Sequence, residues 1–283
     1  MSTASGTRRA GVIGDPVGHS ISPGMYQPAL DALGIPVVFE RWHVTAPDLP
    51  AFVAGLRAPD FLGASVTVPH KLAVRALVDE IAESAQDVGA VNTLVPRDGK
   101  LIGENTDAYG FRESLREVLP DAGSRTAMIL GAGGAARAVA VAMRDFGCTE
   151  IIVANRDLSR AERLRDELPS APVRAMSNEG QAFAEALARS GVVINATSLG
   201  WKPDESPLTR AQVAALADGT MVADLTYRET DLLREAAERD LPTLDGLGML
   251  VHQGVIAFTM WTGQAPPIDV LRKAALAAQA ARH

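Results

Sequence analysis

Short apolar runs alternate with amphipathic stretches along the whole chain, the pattern of an α/β protein. In the first part, strands are predicted over residues 10–13, 37–42, 64–68 and 90–95, and helices over 23–33, 49–56, 70–77 and 80–87. Asp98-Gly99 offers a tight hairpin turn into the next apolar run, Leu101-Ile102-Gly103, because both turn residues tolerate positive φ. This part therefore carries a sheet of its own. A helix over 107–119, capped by Thr106 or Asp107, leads straight into an apolar run at Ala127, and the domain boundary is expected within it. From there strands at 127–130, 151–154, 192–196, 221–225 and 242–244 alternate with helices rich in Ala, Arg and Glu. Such alternation implies a parallel, doubly wound sheet. Two further helices, 249–261 and 268–281, are expected to return to the first domain, which then comprises 1–107 with 249–283, against 108–248 for the second.

The stretch from Thr126 to Arg160 organises this plan. The apolar run Ala127-Met128-Ile129-Leu130 ends in Gly131-Ala132-Gly133-Gly134-Ala135-Ala136, and a small-residue helix follows. Strand, glycine turn and helix in that order suit a phosphate-binding βα unit. Gly131 permits the turn, Gly133 lets a pyrophosphate approach bare backbone, and the helix amides face it. A glycine trio alone is a weak signal, since such turns end strands in many proteins. The next strand ends in Asn155-Arg156-Asp157, and Asn155 lies 24 positions after Gly131. An acid is usual there for the ribose of NAD, whereas a 2′-phosphate needs cations. Arg156 and Arg160 supply them, in the residue type whose planar donors match phosphate oxygens. As a bland alternative, the two are a solvated helix start, although Arg there opposes the helix dipole. The pattern favours NADP over NAD, while Asp157 works against a 2′-phosphate.

At 283 residues the chain is long enough for two medium domains with ample core. A hydrophobic content of 47% and 22% charge are ordinary for a soluble globular protein. A net charge of −7 argues against a nucleic-acid partner and requires local donors for any anionic ligand. The single cysteine, Cys148, rules out an intrachain disulfide framework and fits a reducing, cytoplasmic setting. Residues 1–9 lack a signal-peptide apolar region and read as a disordered lead, no run reaches membrane-spanning length, and neither HExxH nor GxSxG occurs. No metal site is therefore expected.

Three stretches of the first part gather polar groups at predicted strand ends, where ligands collect in open α/β sheets. In Gly18-His19-Ser20-Ile21-Ser22-Pro23, Ser22 reads fully as a helix cap, but Ser20 does not, and two hydroxyls at a helix start make a carboxylate cradle. In Gly63-Ala64-Ser65-Val66-Thr67-Val68-Pro69-His70-Lys71, alternation sends Ser65 and Thr67 to one side of the strand. Pro69 is expected to start a helix with Lys71 in its first turn, where the dipole lowers a lysine pKa; a tolerated surface lysine is the bland reading. Asn92 sits in an apolar strand and needs partners if buried, and Asp107 either caps its helix or approaches Lys71.

Together these stretches resemble the shikimate dehydrogenase family. The match runs nearly end to end, from Gly14-Asp15-Pro16-Val17-Gly18-His19-Ser20-Ile21-Ser22-Pro23 to Asp245-Gly246-Leu247-Gly248-Met249-Leu250-Val251-His252-Gln253-Gly254. The resemblance implies an N-terminal α/β substrate domain plus a doubly wound Rossmann-type NADP domain, with a cleft between them. It puts the substrate carboxylate on Ser20 and Ser22, makes Lys71 and Asp107 the catalytic pair, and gives the ring hydroxyls to Thr67, Asn92 and Gln253. Ser65 and Tyr227 join the substrate contacts. Gly131, Ala132, Gly133, Gly134 and Ala135 would cradle the cofactor phosphates, and Asn155, Arg156 and Arg160 the adenosine ribose and its phosphate. Thr197 and Tyr227 would line the nicotinamide side with Met249 packed near it, and Leu225 and Gly246 join the cofactor contacts. Two departures stand out: Ser65 replaces the family's Asn, with shorter reach, and Asp157 follows Asn155-Arg156 where Thr or Ser is usual.

The implied activity is reversible, NADP-dependent reduction of 3-dehydroshikimate to shikimate in aromatic amino-acid biosynthesis by a monomer or homodimer. The rivals are an NAD-dependent quinate/shikimate dehydrogenase and a shikimate-binding sensor without turnover.

Overall fold

The computed structural model describes residues 7–202 and 204–281, and the chain divides into two compact units: one runs to Thr106 and resumes at Val251, the other is Asp107–Leu250. Sequence placed these divisions at 107/108 and 248/249. Most of the lead expected over 1–9 lies outside the described residues, but its last two positions, Arg8 and Arg9, already belong to a strand.

The first unit contains β1 (Arg8–Gly14), α1 (Ser22–Ala32), β2 (Val37–His43), α2 (Leu49–Gly55), β3 (Phe61–Val66), β4 (Glu80–Ile81), α3 (Glu83–Val88), β5 (Thr93–Arg97) and β6 (Lys100–Glu104). Its strands form one mixed sheet in the order β2-β1-β3-β5-β6-β4. The Asp98-Gly99 hairpin forms as expected, both residues adopting positive φ. A core of Ile13, Val53, Leu56, Ala64, Val66, Leu94 and Leu101 packs behind the sheet.

Two expectations fail here. No α-helix covers 70–77: residues 69–72 form turns, and only a 3-10 segment, Ala73–Leu77, follows. The dipole argument for Lys71 falls with it. The helix predicted over 80–87 starts three residues late, because Glu80 and Ile81 pair with Ile102 and Gly103 as β4. That pairing is long-range, so local pattern could not show it.

The second unit contains α4 (Asp107–Val118), β7 (Ala127–Leu130), α5 (Gly134–Asp145), β8 (Ile151–Asn155), α6 (Leu158–Glu167), β9 (Val173–Ser177), α7 (Gln181–Ala188), β10 (Val192–Asn195), α8 (Arg210–Ala214), β11 (Met221–Asp224), α9 (Asp231–Ala237) and β12 (Thr243–Leu244). Its strands are all parallel, in the order β12-β11-β10-β7-β8-β9. The chain starts mid-sheet, winds outward one way, then returns to wind the other, as in doubly wound folds. Strands covered on both faces read as unbroken apolar runs, and β7, β10 and β11 are buried throughout. β9 has no such run, because it is an edge strand with mostly half-exposed side chains, and it escaped the sequence reading.

Two more helices close the chain, α10 (Leu247–Thr262) and α11 (Ile268–Ala280). In the first unit α11 packs on α1, and Trp261 of α10 lies against Tyr26 and donates its indole N–H to the Leu94 carbonyl at 3.0 Å. Glycine inside a strand marks such a close approach: a Cβ on Gly63 in β3 would stand 2.2 Å from the Trp261 indole nitrogen. Gly63→Ala should therefore lower unfolding free energy in urea by about 1–3 kcal/mol, the usual cost of overpacking.

Candidate active site

In the first unit the polar groups collect where β1 and β3 run out and β5 begins. Ser20 and Ser22 are both buried. Ser20 Oγ accepts the Ser22 amide at 3.3 Å and lies 3.0 Å from Ser22 Oγ. This reverses the expected roles: Ser22 is the first helical residue and caps nothing, while Ser20 satisfies a first-turn amide. Arg41 Nε holds the Ser20 carbonyl at 2.7 Å. Thr67 follows β3, its amide donating to the Ile13 carbonyl, and its methyl occupies the space a Cβ on Gly14 would need.

Asn92 is buried, so all of its amide must be paired. Its oxygen accepts the Thr106 amide at 2.8 Å and the Thr93 hydroxyl at 2.9 Å, while Nδ2 donates to Thr106 Oγ at 3.0 Å and approaches Gln253 Oε1 at 3.4 Å. Thr106 Oγ also donates to Gln253 Oε1 at 3.0 Å. Thr106, weighed in the sequence only as a cap, thus ties Asn92 to Gln253. Beside them Ser65 Oγ is buried without a partner, a costly state that a bound hydroxyl would relieve. Lys71 is half-buried, and its carbonyl accepts the Val91 amide at 2.9 Å. The neighbouring His70 is buried and bonds the Val44 carbonyl through Nε2 at 2.6 Å, which fixes the turn carrying Lys71 without a helix.

In the second unit Asp107 is buried at the first position of α4, where a carboxylate suits the dipole. The glycine turn after β7 has the geometry a dinucleotide phosphate needs. Gly131 adopts φ +107° with its Cα facing the Ala196 carbonyl, and Gly133 has open space where a side chain would be. No side chain caps α5, and Gly134 and Ala135 are half-exposed while Ala132 is buried. The residues present therefore fit a pyrophosphate.

At the tip of β8, Asn155 Nδ2 donates to the Asp157 carbonyl at 2.8 Å. Asp157 caps α6, its Oδ1 taking the Ser159 amide at 3.1 Å and the Ser159 hydroxyl at 2.7 Å. The Ser159 hydroxyl, with smaller help from backbone amides and Arg160, holds the Asp157 pKa below the usual carboxylate value against partial desolvation. Arg156 and Arg160 are exposed.

The ends of β10 and β11 carry a further network, centred outside the site residues expected from sequence. Asn195 and Asp224 are register partners. Asp224 Oδ2 accepts from Asn195 Nδ2 and Thr230 Oγ, each at 3.0 Å, and Oδ1 from the Thr226 amide at 3.0 Å and hydroxyl at 2.9 Å. Asn195 Oδ1 takes the Thr197 hydroxyl at 2.7 Å, and Nδ2 reaches the Leu199 carbonyl at 2.9 Å. The pair thereby shapes the turns bearing Thr197, Leu225 and Tyr227. Two polar residues closing adjacent apolar strands were the available signal. Tyr227 meets Trp201 edge-on at 5.0 Å, and Met249 is buried. Gly246 lies so close to the Leu225 carbonyl that a Cβ would stand 2.1 Å from it, a steric reason for glycine independent of any ligand.

Seven sequence candidates thus belong to the first unit, namely Ser20, Ser22, Ser65, Thr67, Lys71, Asn92 and Gln253, and the others to the second. Among the described residues no helix is long and apolar enough to cross a membrane, and no group of three or more His, Cys, Asp or Glu could hold a metal.

Models of three domains match this chain: a shikimate dehydrogenase substrate binding domain over 12–94, shikimate / quinate 5-dehydrogenase over 113–227, and a shikimate 5′-dehydrogenase C-terminal domain over 246–276. A shikimate dehydrogenase (NADP(+)) of Symbiobacterium thermophilum is 45% identical, covering 98% of this chain and 97% of the relative. Shikimate 5-dehydrogenase of Thermus thermophilus, solved with NADP(H) and shikimate, superimposes with a TM-score of 0.82 at 37% identity over 96% of this chain and 99% of that one. Quinate dehydrogenase of Corynebacterium glutamicum, solved with NAD, gives 0.85 at 33% identity over 96% and 99%.

Asp224→Asn should cost about 1–3 kcal/mol in urea unfolding, since either amide orientation sets an NH2 against the Thr226 amide or the Asn195 amide. Burial raises the Asp224 pKa, so the folded state keeps its proton to higher pH than the unfolded chain. The wild type should lose stability as pH rises through the window just above 3.8, and the variant should lose that contribution to the slope.

Proposed function

Since this chain belongs to the shikimate dehydrogenase family, we propose that it reduces the C3 carbonyl of 3-dehydroshikimate reversibly to shikimate with NADPH, a step of chorismate and aromatic amino-acid biosynthesis. Bound NADPH supplies the hydride. The observation that carries the reading is the concentration of the required groups at strand ends in both units.

On this reading Ser20 and Ser22 take the substrate carboxylate as hydroxyl donors, preorganised by Arg41 on the Ser20 carbonyl. Asn92, Thr67, Ser65 and Gln253 orient the ring hydroxyls, and the orphan Ser65 hydroxyl gains a partner when the ring binds. Lys71 gives a proton to the carbonyl oxygen as negative charge develops there, and Asp107 shares in managing that proton. Gly131, Ala132, Gly133, Gly134 and Ala135 present bare backbone to the cofactor phosphates, and Asn155, Arg156 and Arg160 hold the phosphorylated ribose. Thr197, Leu225, Tyr227, Gly246 and Met249 border the nicotinamide end, with Tyr227 also toward substrate. The buried single thiol is consistent with a cytoplasmic protein, and its net charge of −7 with the absence of a nucleic-acid partner.

Asp157 and the likeness to an NAD-bound quinate dehydrogenase favour a second reading, an NAD-dependent quinate/shikimate dehydrogenase. Crossing shikimate and quinate with NADP and NAD in one nicotinamide absorbance assay separates them. Shikimate with NADP should give the highest kcat/KM; faster turnover of quinate with NAD would replace the first reading by the second. Lys71→Ala should lower kcat by about 10²–10⁴-fold with little change in the shikimate KM, and equal losses in both would remove Lys71 from the proton transfer.

A further inference from the structure

Beside the two arginines assigned to the 2′-phosphate stands a carboxylate of opposite sign, on Asp157. Left to itself, an aspartate one residue from Arg156 and three from Arg160 would find a cation: on a helix start, neighbours three apart are within reach. Here it forms no ion pair with either arginine. Its Oδ1 is engaged twice by Ser159, through the amide at 3.1 Å and the hydroxyl at 2.7 Å. Among the described residues neither Arg156 nor Arg160 makes an ion pair or a side-chain hydrogen bond. Both residues are exposed, and neither guanidinium is held in an ion pair, although the charge of Arg160 still acts on the carboxylate.

We infer that Ser159 is a positioning residue for cofactor choice: by clamping Asp157 onto the α6 N-terminus it keeps that carboxylate out of a direct ion pair with Arg156 or Arg160, and so leaves both guanidinium groups available to the 2′-phosphate of NADP.

The inference rests on the reading that these arginines meet the 2′-phosphate. The clamp acts in two ways. It gives the Asp157 charge an alternative set of donors, the first amides of α6, which are short of acceptors in any case. It also fixes the carboxylate in one rotamer, so that the arginines do not lose the entropy and charge that pairing with it would take from them. The backbone amides of Ser159 and Arg160 would still act on Asp157 in Ser159→Ala, but the shorter of the two Ser159 bonds, the one from the hydroxyl, would be lost. Ser159 thereby reconciles an acid at a position that favours NAD with a pair of cations that favours NADP.

The test uses the full chain and two binding probes, adenosine 2′,5′-bisphosphate and AMP, followed by titration calorimetry. Ser159→Ala should weaken the bisphosphate about two- to fivefold, the scale of one exposed ion pair, and leave AMP unchanged. In turnover the same variant should raise the KM for NADP and not for NAD, with kcat at saturating cofactor unmoved. Ser159→Thr, which keeps the hydroxyl, should behave as wild type, and Asp157→Asn placed in the Ser159→Ala background should restore bisphosphate affinity. A merely structural role would weaken both probes alike. If Ser159→Ala leaves both affinities unchanged, or shifts them equally, the inference is wrong. Arg156→Ala with Arg160→Ala separates the two levels: if that pair of changes leaves bisphosphate binding intact, the arginine reading fails; if it weakens the bisphosphate while Ser159→Ala does not, the clamp alone fails.

Discussion

A carboxylate removed from water must be met by donors from the protein itself, and Asp224 meets that demand at the point where β11 ends. Its two oxygens collect hydrogens from Asn195 on the neighbouring strand, from both the amide and hydroxyl of Thr226, and from Thr230. These bonds determine more than the strand pairing. Thr226 and Thr230 bracket Tyr227, and Asn195 continues the network to Thr197 and Leu199. The turns at the carboxyl ends of β10 and β11 are thus fixed by one buried acid whose alternatives are all costly. Burial raises its pKa even though the hydrogen bonds it accepts work the other way, so desolvation is the larger effect.

The same constraint acts in the first unit with neutral groups. Asn92 is buried, and Thr93, Thr106 and Gln253 pair with its amide. Gln253 comes from α10, far along the chain, so the polar cluster and the Trp261 anchor on the Leu94 carbonyl together tie the C-terminal segment to the sheet. Trp261 reaches that carbonyl only because β3 has a glycine beneath the indole. Polar pairing and steric room are in this way two conditions on one docking. Ser65 is an exception at this cluster: its buried hydroxyl has no hydrogen-bond partner, and an exception of this kind points to a ligand more directly than a satisfied group does.

Around the β7 turn the requirement is for absence rather than partners. Gly131 adopts a backbone that side chains disfavour, and Gly133 leaves space open at an uncapped helix start. A phosphate can then be bound by backbone alone, which costs no side-chain ordering. On the proposed reading, discrimination is left to the end of β8, where Ser159 holds Asp157, and general phosphate affinity and choice of ribose reside on separate strands.

Local pattern by itself determined much of this protein. Buried parallel strands are apolar throughout, so β7, β8, β10 and β11 were readable as runs, and the order of strand, glycine turn and helix around Gly131 was legible from the residues themselves. Hairpin chemistry at Asp98-Gly99 was equally local. Tertiary structure alone decided what depends on distant partners. β4 is a strand because β6 lies beside it, and β9, at an edge, carries too little burial to leave an apolar signature. Lys71 follows a turn anchored by His70 on the Val44 carbonyl, not a helix, because Pro69 suits a turn as well as a helix start and only the long-range bond selects between them. Ser20 rather than Ser22 serves the first amide of α1, since which of two nearby hydroxyls faces a given N–H is a matter of three-dimensional direction that residue type does not encode.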